Sequence, residues 1–392
     1  MTRPCQFAQT IHSPPRVFSS WLRADGWVLT TNFSVVVGNA THPKLFEYNH
    51  GNMTLDTPVL TASTSKWPIA MMIVGLVNDG TIKSLDDYAH SYVPWWSQDV
   101  ANDAKATITL RQLLSFTSGF GAGSPGQENG TETCMDNATL YPGATYDSCA
   151  RMIYANTTLS GAPGSTFSYN SVHLQLAGAV ATHASGLTIQ QVLAKYLVTP
   201  YGMASTSCVL PSAEIPQLAI CLNTTARDYA NFLQRTLDHT VLPKALVDES
   251  EQNYTPFMSK LGLFTIYGDY AFGHFKECYD SYEGFTAECA EADVHADPGA
   301  FGFYPLIDRK RGYYMEIVAF EFGSDAVYAR SGIPEYLRQL VKPLVDAVMD
   351  RYPGGLITND LAFAHHTPSL NGLGLADVNY IVNCFVNPDS CL

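Results

Sequence analysis

The sequence predicts an α/β fold of the α+β kind: an antiparallel sheet flanked by helices, with an all-helical lobe inserted between its strands. Strand-like stretches rich in Val, Phe and Tyr lie towards both ends of the chain, and helical patterns fill the middle. The 392 residues, 46% of them hydrophobic, can bury one large core. No internal repeat divides them. We expect residues 1–30 to form an N-terminal extension, 31–352 one domain whose helical lobe spans roughly 80–240, and 353–392 a C-terminal extension.

The elements follow in order. FSVVVGN (33–39) and KLFEYNH (44–50), separated by Asn-Ala-Thr-His-Pro, predict an antiparallel hairpin. STSKWPIAMMIVGLVNDG (63–80) places Ser/Thr and Pro ahead of a long apolar run that stops at Asn-Asp-Gly, the signals of a helix start and end. TITLRQLLSFTSGF (107–120) predicts a short helix entered from Thr109 and stopped at Gly119, and 121–149 a loop rich in Gly, Ser, Thr and Asn. Helices are expected over 171–186, 188–198 and 225–238. Strands are expected at DYAFGHF (269–275), AFGFYPLID (300–308) and YYMEIVAFEF (313–322), then a helix over 331–352 opened by Ser331 and kinked by Pro343.

Charge and cysteine usage narrow the function classes. With 22 Lys plus Arg against 36 Asp plus Glu, the net charge is −14 and no basic run longer than three residues interrupts it. A nucleic-acid partner is disfavoured, since each phosphate contact needs a cation. The longest apolar run near Lys66 is too short to span a bilayer. Nine cysteines suggest four local closures: Cys134 with Cys149, Cys208 with Cys221, Cys278 with Cys289, and Cys384 with Cys391, leaving Cys5 over. Asn-x-Ser/Thr sequons begin at Asn32, Asn39, Asn52, Asn129, Asn137, Asn156, Asn223 and Asn253. Together these predict a secreted, glycosylated protein, although MTRPCQFAQTIHSPPR has no apolar core of a signal peptide.

Ser63 is the only serine with a lysine three residues later, Lys66. A serine hydroxyl becomes a nucleophile once a base takes its proton, and a lysine serves when burial lowers its proton affinity. At a helix start the two side chains meet on one face, and the N-terminal amides favour a developing oxyanion. No Gly-x-Ser-x-Gly elbow, His-Glu-x-x-His motif or glycine-rich phosphate loop competes, and His365-His366 read as solvated. Trp67, Trp95 and Trp96 read as core, rim or substrate wall.

LVNDGTIKSLDDYAHSYVP (76–94), TITLRQLLSFTSGF (107–120), PGSTFSYNSVHLQLAG (163–178) and GAFGFYPLIDRKRGYY (299–314) follow the Ser-x-x-Lys in that order. The set resembles the serine β-lactamase and penicillin-binding-protein superfamily, in particular its class C β-lactamase-like and esterase branch, over roughly residues 30–350. The resemblance implies a β-lactamase/transpeptidase-like fold, no cofactor, Ser63 as acyl-accepting nucleophile, Lys66 as its proton partner and Tyr169 as a second base. The family's Tyr-x-Asn here reads Tyr169-Asn170-Ser171, so Ser171 stands where an amide usually holds the lysine and substrate. The third motif, Lys/His-Thr/Ser-Gly, is best approached by His295-Ala296-Asp297-Pro298-Gly299. Neutral His295, no hydroxyl and nearby Asp297 imply weakened carboxylate recognition.

The resemblance further implies an oxyanion hole of the Ser63 N–H plus one from 299–301, with Gly299 and Ala300 against the substrate. The function implied is an esterase or acyl transferase on a neutral small ester or amide. A β-lactamase or D-amino-acid peptidase, and a non-catalytic binding protein on the same fold, are the alternatives.

Overall fold

The computed structural model describes residues 32–121, 133–137, 141–256, 268–278 and 286–319, together with part of 334–350. In chain order come β1 (Phe33–Asn39), β2 (Phe46–His50), β3 (Val59–Leu60), α1 (Lys66–Asn78), α2 (Leu110–Leu114), α3 (Tyr146–Asn156), α4 (Val172–Ser185) and α5 (Ile189–Leu193). There follow β4 (Ser207–Cys208), β5 (Leu222–Thr224), α6 (Ala226–Leu237), α7 (Lys244–Ser250), β6 (Gly268–Tyr270), β7 (Phe275–Glu277), α8 (Ala287–Ala292), β8 (Val294–Ala296), β9 (Phe303–Asp308) and β10 (Tyr313–Ala319). The described residues between 334 and 350 are helical.

A seven-stranded sheet runs β2-β1-β10-β9-β8-β7-β6. Every neighbouring pair is antiparallel, and β1 from the start of the chain meets β10 from the far end, Phe33 opposite Ala319 and Asn39 opposite Tyr313. The sheet is therefore assembled from both ends of the chain, as the sequence predicts. Alternation along β1 explains why every residue in it is buried: Val36 joins the core shared with α1, while Phe33, Val35 and Val37 pack with Leu337, Val341 and Met349. Polar ties hold that far helix to the sheet, with Arg338 paired to Glu277 and Lys342 to Asp308.

α1 is apolar almost all round and lies in the centre of the molecule, with Trp67 through Val74 fully buried. It ends at Asp79, and Gly80 takes the left-handed conformation (φ +78°) that releases the chain. Thr109 caps α2 reciprocally with Gln112, and Thr225 caps α6 through the Asp228 amide.

Several local expectations are corrected. DYAFGHF is not one strand: the Ala271 amide donates to the His274 carbonyl at 2.8 Å and Gly273 sits at φ +69°, a tight turn that divides β6 from β7. α2 stops at Leu114, because Phe116 already has φ +59°. α3, α7 and α8 went unread in a sequence whose polar residues and short lengths give little helical periodicity.

Three of the four expected disulfides are formed, Cys134–Cys149, Cys208–Cys221 and Cys278–Cys289. Cys5, Cys384 and Cys391 lie outside the described residues, as do Asn129, His365 and His366. Among the sequons Asn52 and Asn156 are exposed, and Asn32, Asn137 and Asn223 are half-buried. Two are poor glycan sites. Asn39 is buried in β1 with its side-chain oxygen accepting from the Thr41 and His42 amides, and the Asn253 amide nitrogen donates to Asp269 at 2.6 Å. Among the described residues no helix is long and apolar enough to cross a membrane, and no cluster of His, Cys, Asp and Glu could hold a metal ion.

Candidate active site

β3 delivers the chain into a tight turn of 3₁₀ helix, Ala62–Ser65, which runs directly into α1. Ala62, just ahead of Ser63, has φ +53°. A left-handed alanine costs on the order of 1–3 kcal/mol and persists only where its surroundings over-determine it. They do so here. Thr61 and Ser65 hydroxyls meet at 2.9 Å, the Leu222 amide donates to Ser65 Oγ at 3.0 Å, and the Thr61 amide donates to the Leu222 carbonyl at 3.0 Å. Thr64 Oγ1 donates to the Asp297 carbonyl at 2.8 Å, and the Tyr229 hydroxyl of α6 donates to the Thr64 carbonyl at 3.0 Å. Ser63 is left partly exposed at the outer side of this bracket.

Lys66 is 2% exposed, and its Nζ donates to Ser63 Oγ at 2.9 Å and to the Ala219 carbonyl at 3.0 Å. Burial lowers its proton affinity to about 8, with the charge of Asp297 acting the other way. A lysine in this state has a large neutral fraction near pH 8 and can accept the proton of the hydroxyl it touches. The Ala219 carbonyl fixes it from behind, and that segment is tied to β4 by the Cys208–Cys221 disulfide.

Tyr169 lies across the same cleft, with Lys66 Nζ 4.7 Å from its ring centroid. Its ring packs on Phe275 and edge-on against Tyr270, both at 5.9 Å between centroids. The turn that carries it is held by Asn170, whose amide nitrogen donates to the Gly121 carbonyl at 2.9 Å, and by buried His173, bonded to the Ser118 hydroxyl and the Ser168 carbonyl. Desolvation lowers the His173 pKa to about 4, so the ring is neutral and structural.

The facing margin is the connection from β8 to β9. Asp297 is fully buried: its Oδ2 accepts from the Trp67 amide at 3.0 Å, and Oδ1 has no hydrogen-bond partner among the described residues. Burial raises its pKa well above the usual carboxylate range, with Lys66 opposing. Gly299 lies so close to the Ser63 turn that a Cβ would stand 2.1 Å from the Thr61 carbonyl oxygen and 2.3 Å from Thr64 Oγ1. Its amide donates to the Phe303 carbonyl at 2.8 Å and is thereby used up. The Ala300 amide, next along this margin, has no acceptor among the described residues.

The fold thus brings together Ser63, Lys66, Tyr169 and Gly299, and places Ala300 beside them. It does not bring in His295. That ring is fully buried, bonded to His274 at 3.0 Å and to Asp293 at 3.3 Å, and the alternation of β8 turns it with Asp297 towards Trp67. Ser171 is displaced from its expected task as well: it opens α4, and Ala219 supplies the polar contact to Lys66. Ala219 and Asp297 are the site residues that motif reasoning missed or misread, since a backbone carbonyl leaves no signal in the side-chain sequence. Trp67 and Trp96 are core, and Trp95 is half-buried beside them, bonding Asp147 at 2.7 Å.

Solved structures share this architecture. A Bacteroides dorei protein assigned as a β-lactamase is 25% identical, with TM-score 0.62 over 84% of this chain and 97% of its own. EstCE1, described as a hydrolase with promiscuous acyltransferase activity, is 16% identical with TM-score 0.61, over 78% and 93%. A LovD9 mutant of simvastatin synthase from Aspergillus terreus is 17% identical with TM-score 0.55, over 80% and 95%. Among curated proteins none matches. The family model described as Beta-lactamase matches residues 24–272, most of the chain and the whole stretch from the Ser63 turn to Tyr169 and β6, so this protein belongs to the β-lactamase family, whose fold is that of β-lactamase-type hydrolases.

Proposed function

We propose that the protein is a serine hydrolase working through an acyl-enzyme on Ser63, an esterase or acyl transferase on a neutral small ester or amide. The observation that carries this is the 2.9 Å hydrogen bond from buried Lys66 to Ser63 Oγ, on a turn strained at Ala62 that leaves Ser63 partly exposed. Ser63 Oγ attacks the carbonyl carbon while its proton passes to Lys66, aided by Tyr169. The carbonyl oxygen takes the negative charge, held by the Ser63 and Ala300 amides. The carbon–leaving-group bond then breaks, and the leaving group takes the proton. Water or an alcohol repeats the attack on the acyl-enzyme and restores Ser63.

The preference for neutral substrates rests on the margin facing Ser63. His295 is bonded to His274 and Asp293, and Lys276 is paired with Asp293 at 2.6 Å, so neither side chain is placed for a substrate carboxylate. The rival reading, a β-lactamase or D-amino-acid peptidase, draws its support from the family match. Parallel turnover of p-nitrophenyl butyrate and nitrocefin, with Ser63→Ala as control, tests the choice. We expect ester turnover lost in the variant and little nitrocefin cleavage. Fast nitrocefin turnover without ester cleavage would reverse the substrate assignment. No turnover of either, with no covalent labelling of Ser63, would indicate a binding protein.

The same reading places the protein in the secretory pathway, supported by three disulfides and by the exposed sequons at Asn52 and Asn156. It takes residues 31–352 as the catalytic domain.

A further inference from the structure

We propose that Asp297 is a positioning residue for the nucleophile, clamping the Ser63 turn through both its backbone carbonyl and its carboxyl group. The inference rests on the reading of Ser63 and Lys66 given above. Asp297 touches the turn twice, its backbone carbonyl accepting from Thr64 Oγ1 at 2.8 Å and its carboxylate from the Trp67 amide at 3.0 Å. Those partners are the residue after Ser63 and the residue after Lys66. A single residue on the β8–β9 connection therefore sets where both reacting groups stand relative to the Ala300 margin. Gly299, two residues on, allows the connection to press against the same turn.

Asp297 is buried, and among the described residues its Oδ1 has no hydrogen-bond partner, so the Trp67 amide is the contact that fixes the carboxyl group. The surroundings are closely packed: His274 stacks on Trp67 at 4.3 Å between ring centroids, and the Tyr229 hydroxyl of α6 donates to the Thr64 carbonyl at 3.0 Å. A displacement of the β8–β9 connection is therefore passed to Thr64 and Trp67, and through them to Ser63 and Lys66.

Asp297→Ala removes the acceptor of the Trp67 amide, and Asp297→Asn keeps one. We expect Asp297→Ala to lower kcat for p-nitrophenyl butyrate about tenfold with KM little changed, and Asp297→Asn to recover most of that loss. Thr64→Val removes the other half of the clamp, and there we expect kcat to fall about tenfold with KM in place. A wild-type kcat in Asp297→Ala, or an Asp297→Asn no better than Asp297→Ala, overturns the proposal. If Asp297→Ala does not fold, Thr64→Val decides: an unchanged kcat overturns the proposal and a tenfold loss with KM in place supports it. Absence of Ser63 labelling in the wild type would instead refute the reading of the site itself.

Discussion

The two walls of the cleft differ in how they are built. The Ser63 turn is over-determined, with hydrogen bonds from β5, α6 and the β8–β9 connection holding a left-handed alanine, and its Ser-x-x-Lys matches the family pattern. The wall opposite, residues 294–300, keeps the close approach of Gly299 and the Ala300 amide while its polar side chains turn inward, His295 to His274 and Asp297 to Trp67. The difference separates two jobs. The acyl transfer we propose needs a fixed nucleophile and an oxyanion donor, roles that our reading gives to Ser63 on the first wall and the Ala300 amide on the second. Anchoring a substrate carboxylate needs an outward cation, and the second wall has none among its described residues.

Substitutions on the first wall should cost most. Ser63→Ala and Lys66→Ala are expected to lower ester kcat/KM by 10³-fold or more, roughly the loss that follows removal of a nucleophile or its base, measurable as initial rates. Tyr169→Phe keeps the ring beneath Lys66 and removes the hydroxyl; a loss of about 10²-fold is expected in kcat, with KM little changed. A residual rate within a few-fold of wild type would mean that Lys66 acts without the phenol.

The second wall should answer in stability before chemistry. Gly299→Ala puts a methyl group 2.1 Å from a backbone oxygen that cannot rotate away, so about 1–3 kcal/mol of stability is expected to be lost, read from the urea midpoint. An unchanged midpoint would show that the two walls are looser than their spacing indicates. Smallest of all, Ser171→Ala is expected to change kcat/KM by no more than about twofold, because the Ala219 carbonyl holds Lys66. A tenfold loss would restore Ser171 to the site and demote Ala219.

The same contrast explains what the sequence makes legible. The sheet from both chain ends, the central helix and the pair Ser63 and Lys66 are visible because they depend on periodicity and on local spacing, Lys66 standing one turn after Ser63. Three disulfides were readable for a similar reason: each closes a loop of at most 15 residues in sequence separation. The role of His295 was misread because a motif fixes residue order and leaves open which face of a strand each side chain takes. Ala219 was invisible because its contribution is a carbonyl that every residue possesses. The β6–β7 turn escaped because Phe272 and His274 look like strand residues; only Gly273, at φ +69°, marks the reversal.

The central claim is that Ser63, activated by Lys66, carries the acyl group. Its most direct test is treatment with a fluorophosphonate probe followed by mass-spectrometric mapping of the adduct, with Ser63→Ala alongside. The account predicts one adduct on the peptide containing Ser63, formed faster as pH rises towards 8 and absent from the variant. An adduct on another serine, or equal labelling of the variant, would contradict it.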